Sequence, residues 1–80
     1  MTEPQPVRKR SIAIAGHRTS VSLEEPFWEE LRAIAARRGL SVQRLVAEID
    51  GARGGENLSS ALRLHVLADL RERLDGGADQ

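Results

Sequence analysis

The 80 residues contain no cysteine. Disulfides and thiolate metal ligands are therefore excluded, and reducing cytosol is the default compartment. The longest purely apolar run, Ile12 to Ala15, is far too short to span a bilayer. The basic N-terminal residues precede no apolar signal-peptide core, so the chain is expected to be cytoplasmic. Aromatic surface is equally scarce, with one tryptophan, one phenylalanine and no tyrosine. Trp28 is read as a core or interface anchor, because its neighbours form an apolar helical stripe. His17 and His65 are the only histidines. With no cysteine and no carboxylate cluster beside them, no metal site is expected. Nor does any Ser-His-Asp set suggest nucleophilic chemistry, and so small a domain seldom encloses a pocket. The chain is not expected to be an enzyme or to carry a cofactor.

What is present is charge, in balance overall but not along the chain. Twelve basic and twelve acidic residues cancel. Residues 1–23 hold four bases and one acid, whereas residues 24–80 hold eight bases and eleven acids. The basic end suits phosphates. Residues 1–10, which include the run Arg8-Lys9-Arg10, are expected to be a flexible basic arm. Ser11 to Ala15 alternates weakly and reads as a short edge strand or an extended arm.

From Arg18 the alternation sharpens. Thr19, Val21 and Leu23 share one semi-apolar face, and Arg18, Ser20 and Ser22 share the other. Glu24-Glu25-Pro26 then marks a helix start: proline suits the first turn, and carboxylates there complement the helix dipole. Phe27, Leu31, Ile34 and Ala35 follow helical spacing, and Arg37-Arg38-Gly39 reads as the end, with glycine at a left-handed cap. Ser41 caps a second helix whose apolar face is Val42, Leu45, Val46 and Ile49. Three glycines between Gly51 and Gly55 break the pattern. Asn57 opens a third helix, with Leu58, Leu62, Val66, Leu70 and Leu74 at four-residue steps and Leu67 widening the band. That band is expected to pack on the first two helices, with Leu62 and Val66 buried deepest. Gly76-Gly77 is expected to end the helix, leaving residues 76–80 as a disordered tail. The globular part is thus residues 11–75, mainly α with one short strand.

A lone strand needs a ladder partner, and the order strand, Leu-Glu-Glu-Pro, helix, Gly-Leu-Ser, helix over Arg18 to Ile49 resembles the ribbon-helix-helix DNA-binding proteins of the MetJ/Arc superfamily. It is similar to a bacterial subfamily with an extra C-terminal helix. The resemblance implies an intertwined homodimer whose two strands pair antiparallel between subunits and enter the DNA major groove. It assigns Arg18, Ser20 and Ser22 to base contact. It assigns the amides of Ser41, Val42 and Gln43, at the start of the second helix, to phosphate. Arg8, Lys9 and Arg10 are expected to contact phosphate as well. The function it implies is sequence-specific binding of double-stranded DNA by a repressor or autoregulator. The alternative is an antitoxin-like or adaptor dimer that holds a protein partner with its third helix.

Overall fold

The computed structural model describes residues 7–14 and 16–78. Strands β1 (Val7–Ile14) and β2 (His17–Glu24) are followed by helices α1 (Glu25–Arg38), α2 (Val42–Ala52) and α3 (Leu58–Ala78). The strands form an antiparallel two-stranded ribbon, with Val7 opposite Glu24, Ser11 opposite Ser20 and Ala13 opposite Arg18. Gly16, at φ 83, turns the chain between them, a conformation that glycine adopts without steric cost.

The expected ribbon and three helices are present, with one correction: the chain carries two strands rather than one. The ladder partner of β2 is β1 of the same chain. The physical reason is on the inner face, where Ile12 and Ile14 are buried beside Val21 and Leu23. β1 thus has an apolar side that only packing on the helices covers. The expected flexible arm is corrected with it. Val7–Arg10 belong to β1, while residues 1–6 lie outside the described residues.

Each helix boundary has a local cause. Proline stands in the first turn of α1, and Gly39 closes it at φ 70, its amide directed at the carbonyls of Ala35 and Ala36. Ser41 Oγ accepts from the Arg44 amide at 3.1 Å and caps α2. Asn57 Oδ1 accepts from the Ser60 amide at 3.1 Å and caps α3. α3 runs on to Ala78, so the expected stop at Gly76-Gly77 and the tail from residue 76 are corrected. Glycine in a helix interior costs only about 1 kcal/mol against alanine, too little to stop a long helix. Residues 79–80 are outside the described residues.

The core is a single cluster. Val21 and Leu23 from the ribbon meet Trp28, Leu31, Ile34 and Ala35 of α1, Leu45, Val46 and Ile49 of α2, and Leu62 and Val66 of α3. Leu62 and Val66 are the buried pair of α3, as the sequence predicts, with Leu58 and Leu70 half-buried against the core. Leu74 and Leu67 of the expected band are exposed instead, and Leu64 is exposed with them. Leu64 lines a shallow groove with Arg38 of α1 and Ile49 and Ala52 of α2. Ion pairs tie α3 down at its sides: Arg63 Nη2 to Glu24 at 3.0 Å and Arg37 to Asp69 at 2.7 Å. No helix among the described residues is long and apolar enough to cross a membrane.

Candidate nucleic-acid interface

The alternation of β2 sorts its side chains as the sequence predicts. Val21 and Leu23 are 1% and 0% exposed, while Arg18 and Ser20 are exposed on the opposite face and Ser22 is half-buried. Register then adds β1 to that outer face. Lys9 lies opposite Ser22, Ser11 opposite Ser20 and Ala13 opposite Arg18. The result is one polar surface carrying two cations and three hydroxyls. Arg18 Nη1 donates to Ser11 Oγ at 3.2 Å across the strands, which extends the guanidinium along the ribbon.

The first turn of α2 lies beside this face. Ser41, Gln43, Arg44 and Ala47 line a shallow groove of about 370 Å³ together with Ala13 of β1. Ser41, Val42 and Gln43 are therefore next to the ribbon. The free amides that open a helix, with the dipole behind them, attract anions. Arg44, exposed in the same groove, adds a full charge that the sequence reading passes over.

Arg8 and Arg10, expected beside Lys9 as phosphate contacts, do not share its face. They alternate onto the inner side of β1 and converge on Glu25 at the start of α1, Arg10 at 2.9 Å and Arg8 at 3.6 Å. Arg32 reaches the same carboxylate from further along the helix, at 3.2 Å. Arg10 also lies over the Trp28 ring, 5.2 Å from its centroid, a geometry for cation–π attraction.

The zero net charge therefore conceals a local excess. Eight of the twelve cations are held by a carboxylate: Arg8, Arg10, Arg32, Arg37, Arg38, Arg53, Arg63 and Arg73. Among the described residues, Lys9, Arg18, Arg44 and Arg71 form no ion pair. Three of those four stand on the ribbon's outer face or in the adjoining groove. Among the described residues no carboxylate is paired with any of these three, so their field reaches solvent.

Two carboxylates at the ribbon–helix junction are held below their ordinary range. For Glu25 the leading cause is the hydrogen bond from Arg32, opposed by partial desolvation and reinforced by Arg10. For Glu24 it is the hydrogen bond from its own backbone amide, with desolvation opposing and Arg63 adding to the effect. Lowered native pKa values stabilise the fold at pH above the ordinary value of 4.5 and lose that contribution as pH falls below it. A Glu24→Gln, Glu25→Gln variant is expected to lose less melting temperature than the parent as pH falls from above that ordinary value to well below it. Equal acid sensitivity in thermal melts would place the acid-labile groups elsewhere.

Three comparisons bear on this arrangement. A family model described as "Ribbon-helix-helix domain" matches residues 7–70, which takes in both strands, α1, α2 and most of α3. A solved structure of an uncharacterized protein from Bordetella pertussis Tohama I is 36% identical, with a TM-score of 0.76. The match covers 89% of this chain and 61% of that one, so the chain spans about three fifths of that protein's length. None of the curated proteins matches the chain.

Proposed function

Since the chain belongs to the ribbon-helix-helix domain family, whose members are in general DNA-binding transcription regulators, we propose that it is a sequence-specific repressor or autoregulator that binds double-stranded DNA. The observation that carries this reading is the ribbon's outer face, where cations without an ion pair and hydroxyls stand together. A two-stranded ribbon fits the major groove, about 12 Å wide. Arg18 is the base reader of greatest reach, suited to guanine through two parallel N–H bonds, with Ser20 and Ser22 adding shorter contacts. Lys9 and Arg44 take phosphate, as do the amides of Ser41, Val42 and Gln43. Arg8 and Arg10 contribute charge from behind the ribbon. The protein acts as a homodimer, as is typical of the family. One ribbon covers only a few base pairs, and two copies on a symmetric site double the contacts. No catalytic step is required: occupancy of an operator blocks polymerase. A chromosomal site of action implies the cytoplasm.

Arg18→Ala tests the assignment. It is expected to weaken binding to the preferred duplex by about 1–3 kcal/mol and to relax specificity, while the fold survives. Equal losses on preferred and random duplexes, measured by titration, would make Arg18 a phosphate contact; no loss on either would remove it from the interface.

A second reading is a partner-binding dimer that uses the third helix. The exposed Leu64, Leu67 and Leu74 favour it. The DNA reading expects a Leu67→Glu, Leu74→Glu variant to keep its duplex affinity. Loss of that affinity with the fold intact would bring α3 into the functional surface.

A further inference from the structure

Glu25 holds more positive charge than one carboxylate neutralises. Arg8, Arg10 and Arg32 converge on its two oxygens, Arg10 on Oε1 at 2.9 Å, Arg8 on Oε1 at 3.6 Å and Arg32 on Oε2 at 3.2 Å. Each guanidinium carries several N–H donors, and the carboxylate has room for few of them. The side chains of Arg8 and Arg32 remain 60% and 46% exposed, and Glu25 itself 25%. Arg10 Nε is buried and has no hydrogen-bond partner among the described residues. The cluster is therefore rich in donors, with three guanidinium groups on one carboxylate, and it stands at the open end of the ribbon that carries the proposed DNA-binding face. The groove at the start of α2 meets the same strand at Ala13, about 17 Å from Arg8 along an extended strand. Basic groups thus stand at both ends of β1, the groove on its outer side and the Glu25 cluster on its inner side.

We infer that Glu25 is an internal stand-in for a DNA phosphate: it neutralises Arg8 and Arg32 in the free protein, surrenders them to the DNA backbone on binding, and so sets the affinity for all duplexes. The inference rests on the DNA-binding reading for its ligand. It assigns Glu25 a part that touches no base. A fixed negative charge beside an arginine pair lowers its attraction for a phosphate, and it supplies in cis a counterion that salt would otherwise supply. Glu25 meters affinity and leaves sequence preference to Arg18, Ser20 and Ser22. Arg10, stacked on Trp28, remains with the carboxylate as an anchor.

The test compares the full chain with Glu25→Gln, Glu25→Asp and Arg32→Gln. Each is titrated with two probes, a random-sequence duplex and inorganic polyphosphate, over a range of salt. Glu25→Gln is expected to bind both probes several-fold more tightly, with a salt slope steeper by about one, as each added phosphate contact contributes about 0.9. Glu25→Asp keeps the charge and is expected to match the parent. Among the described residues Arg32 pairs with Glu25 alone, so Arg32→Gln is expected to fold normally, bind both probes several-fold more weakly and flatten the slope by about one. Circular dichroism establishes that each variant is folded. Unchanged affinity and slope in both Glu25→Gln and Arg32→Gln overturn the inference, as does weaker binding by Glu25→Gln. If the effects appear with polyphosphate while the parent ignores the duplex, the metering stands and the DNA reading falls. If the duplex binds and neither variant differs, the DNA reading stands and the metering falls. A parent that binds neither probe overturns both.

Discussion

Replacing Trp28 with alanine is expected to cost about 3–5 kcal/mol, the range for truncating a large buried aromatic. Trp28 is 1% exposed and the largest side chain in the core. It stands on the first turn of α1, where it supports the ribbon's inner face and carries Arg10 on its ring. Its loss opens a cavity among neighbours held from the ribbon and the helices alike, so little collapse is available to fill it. A domain of 80 residues has only a few kcal/mol to lose, so the variant is expected to be largely unfolded at room temperature by circular dichroism. Trp28→Phe separates volume from chemistry. The indole N–H is buried with no hydrogen-bond partner among the described residues, and removing an unpaired buried donor relieves a desolvation cost of about 1–3 kcal/mol. Trp28→Phe is therefore expected to cost much less than Trp28→Ala. Equal losses in urea titrations would show that the indole N–H is satisfied and contributes to the fold.

Leu62→Ala is expected to cost about 2–5 kcal/mol. Leu62 is fully buried on the face of α3 turned toward the first two helices and β2. Leu64, on the same helix, is 54% exposed, and Leu64→Ala is expected to change stability by less than about 0.5 kcal/mol. The pair tests the orientation of α3 independently of its existence. Truncation after Glu56 removes Leu62 and Val66 together and is expected to unfold the chain. A truncated protein with an unaltered melting temperature would make α3 an appendage, and its leucines a surface for another protein.

The helices are legible in the sequence because their signals are local. Proline in a first turn, glycine past a run of arginines, and serine and asparagine at caps each act through atoms within a few residues. β2 is legible because one face is buried, and a period of two follows directly. Its partner is less so. Arg10, Ile12 and Ile14 alternate as Val21 and Leu23 do, and Gly16 stands where a hairpin turns. The basic residues at the start of β1 make the segment read as an arm. The side chains of Arg8 and Arg10 reach Glu25, and that of Arg10 lies over Trp28. That alternation is the available signal for the hairpin. For the candidate site, the facing of Arg18 and Ser20 follows from the same period. The inner facing of Arg8 and Arg10 follows from the same period once β1 is a strand, whereas the contribution of Arg44 depends on how α2 meets β1. Zero net charge misleads most, because ion pairing decides which charges a partner feels, and pairing is a property of the fold.

The central claim is that the ribbon's outer face reads double-stranded DNA. The most direct measurement is selection of bound sequences from a random duplex library, made in parallel with the parent chain and with Arg18→Ala. The account predicts that the parent enriches one motif with two-fold symmetry and that Arg18→Ala loses preference at defined positions in each half. A parent chain that enriches no motif, or an Arg18→Ala chain that enriches the same motif unchanged, would contradict it.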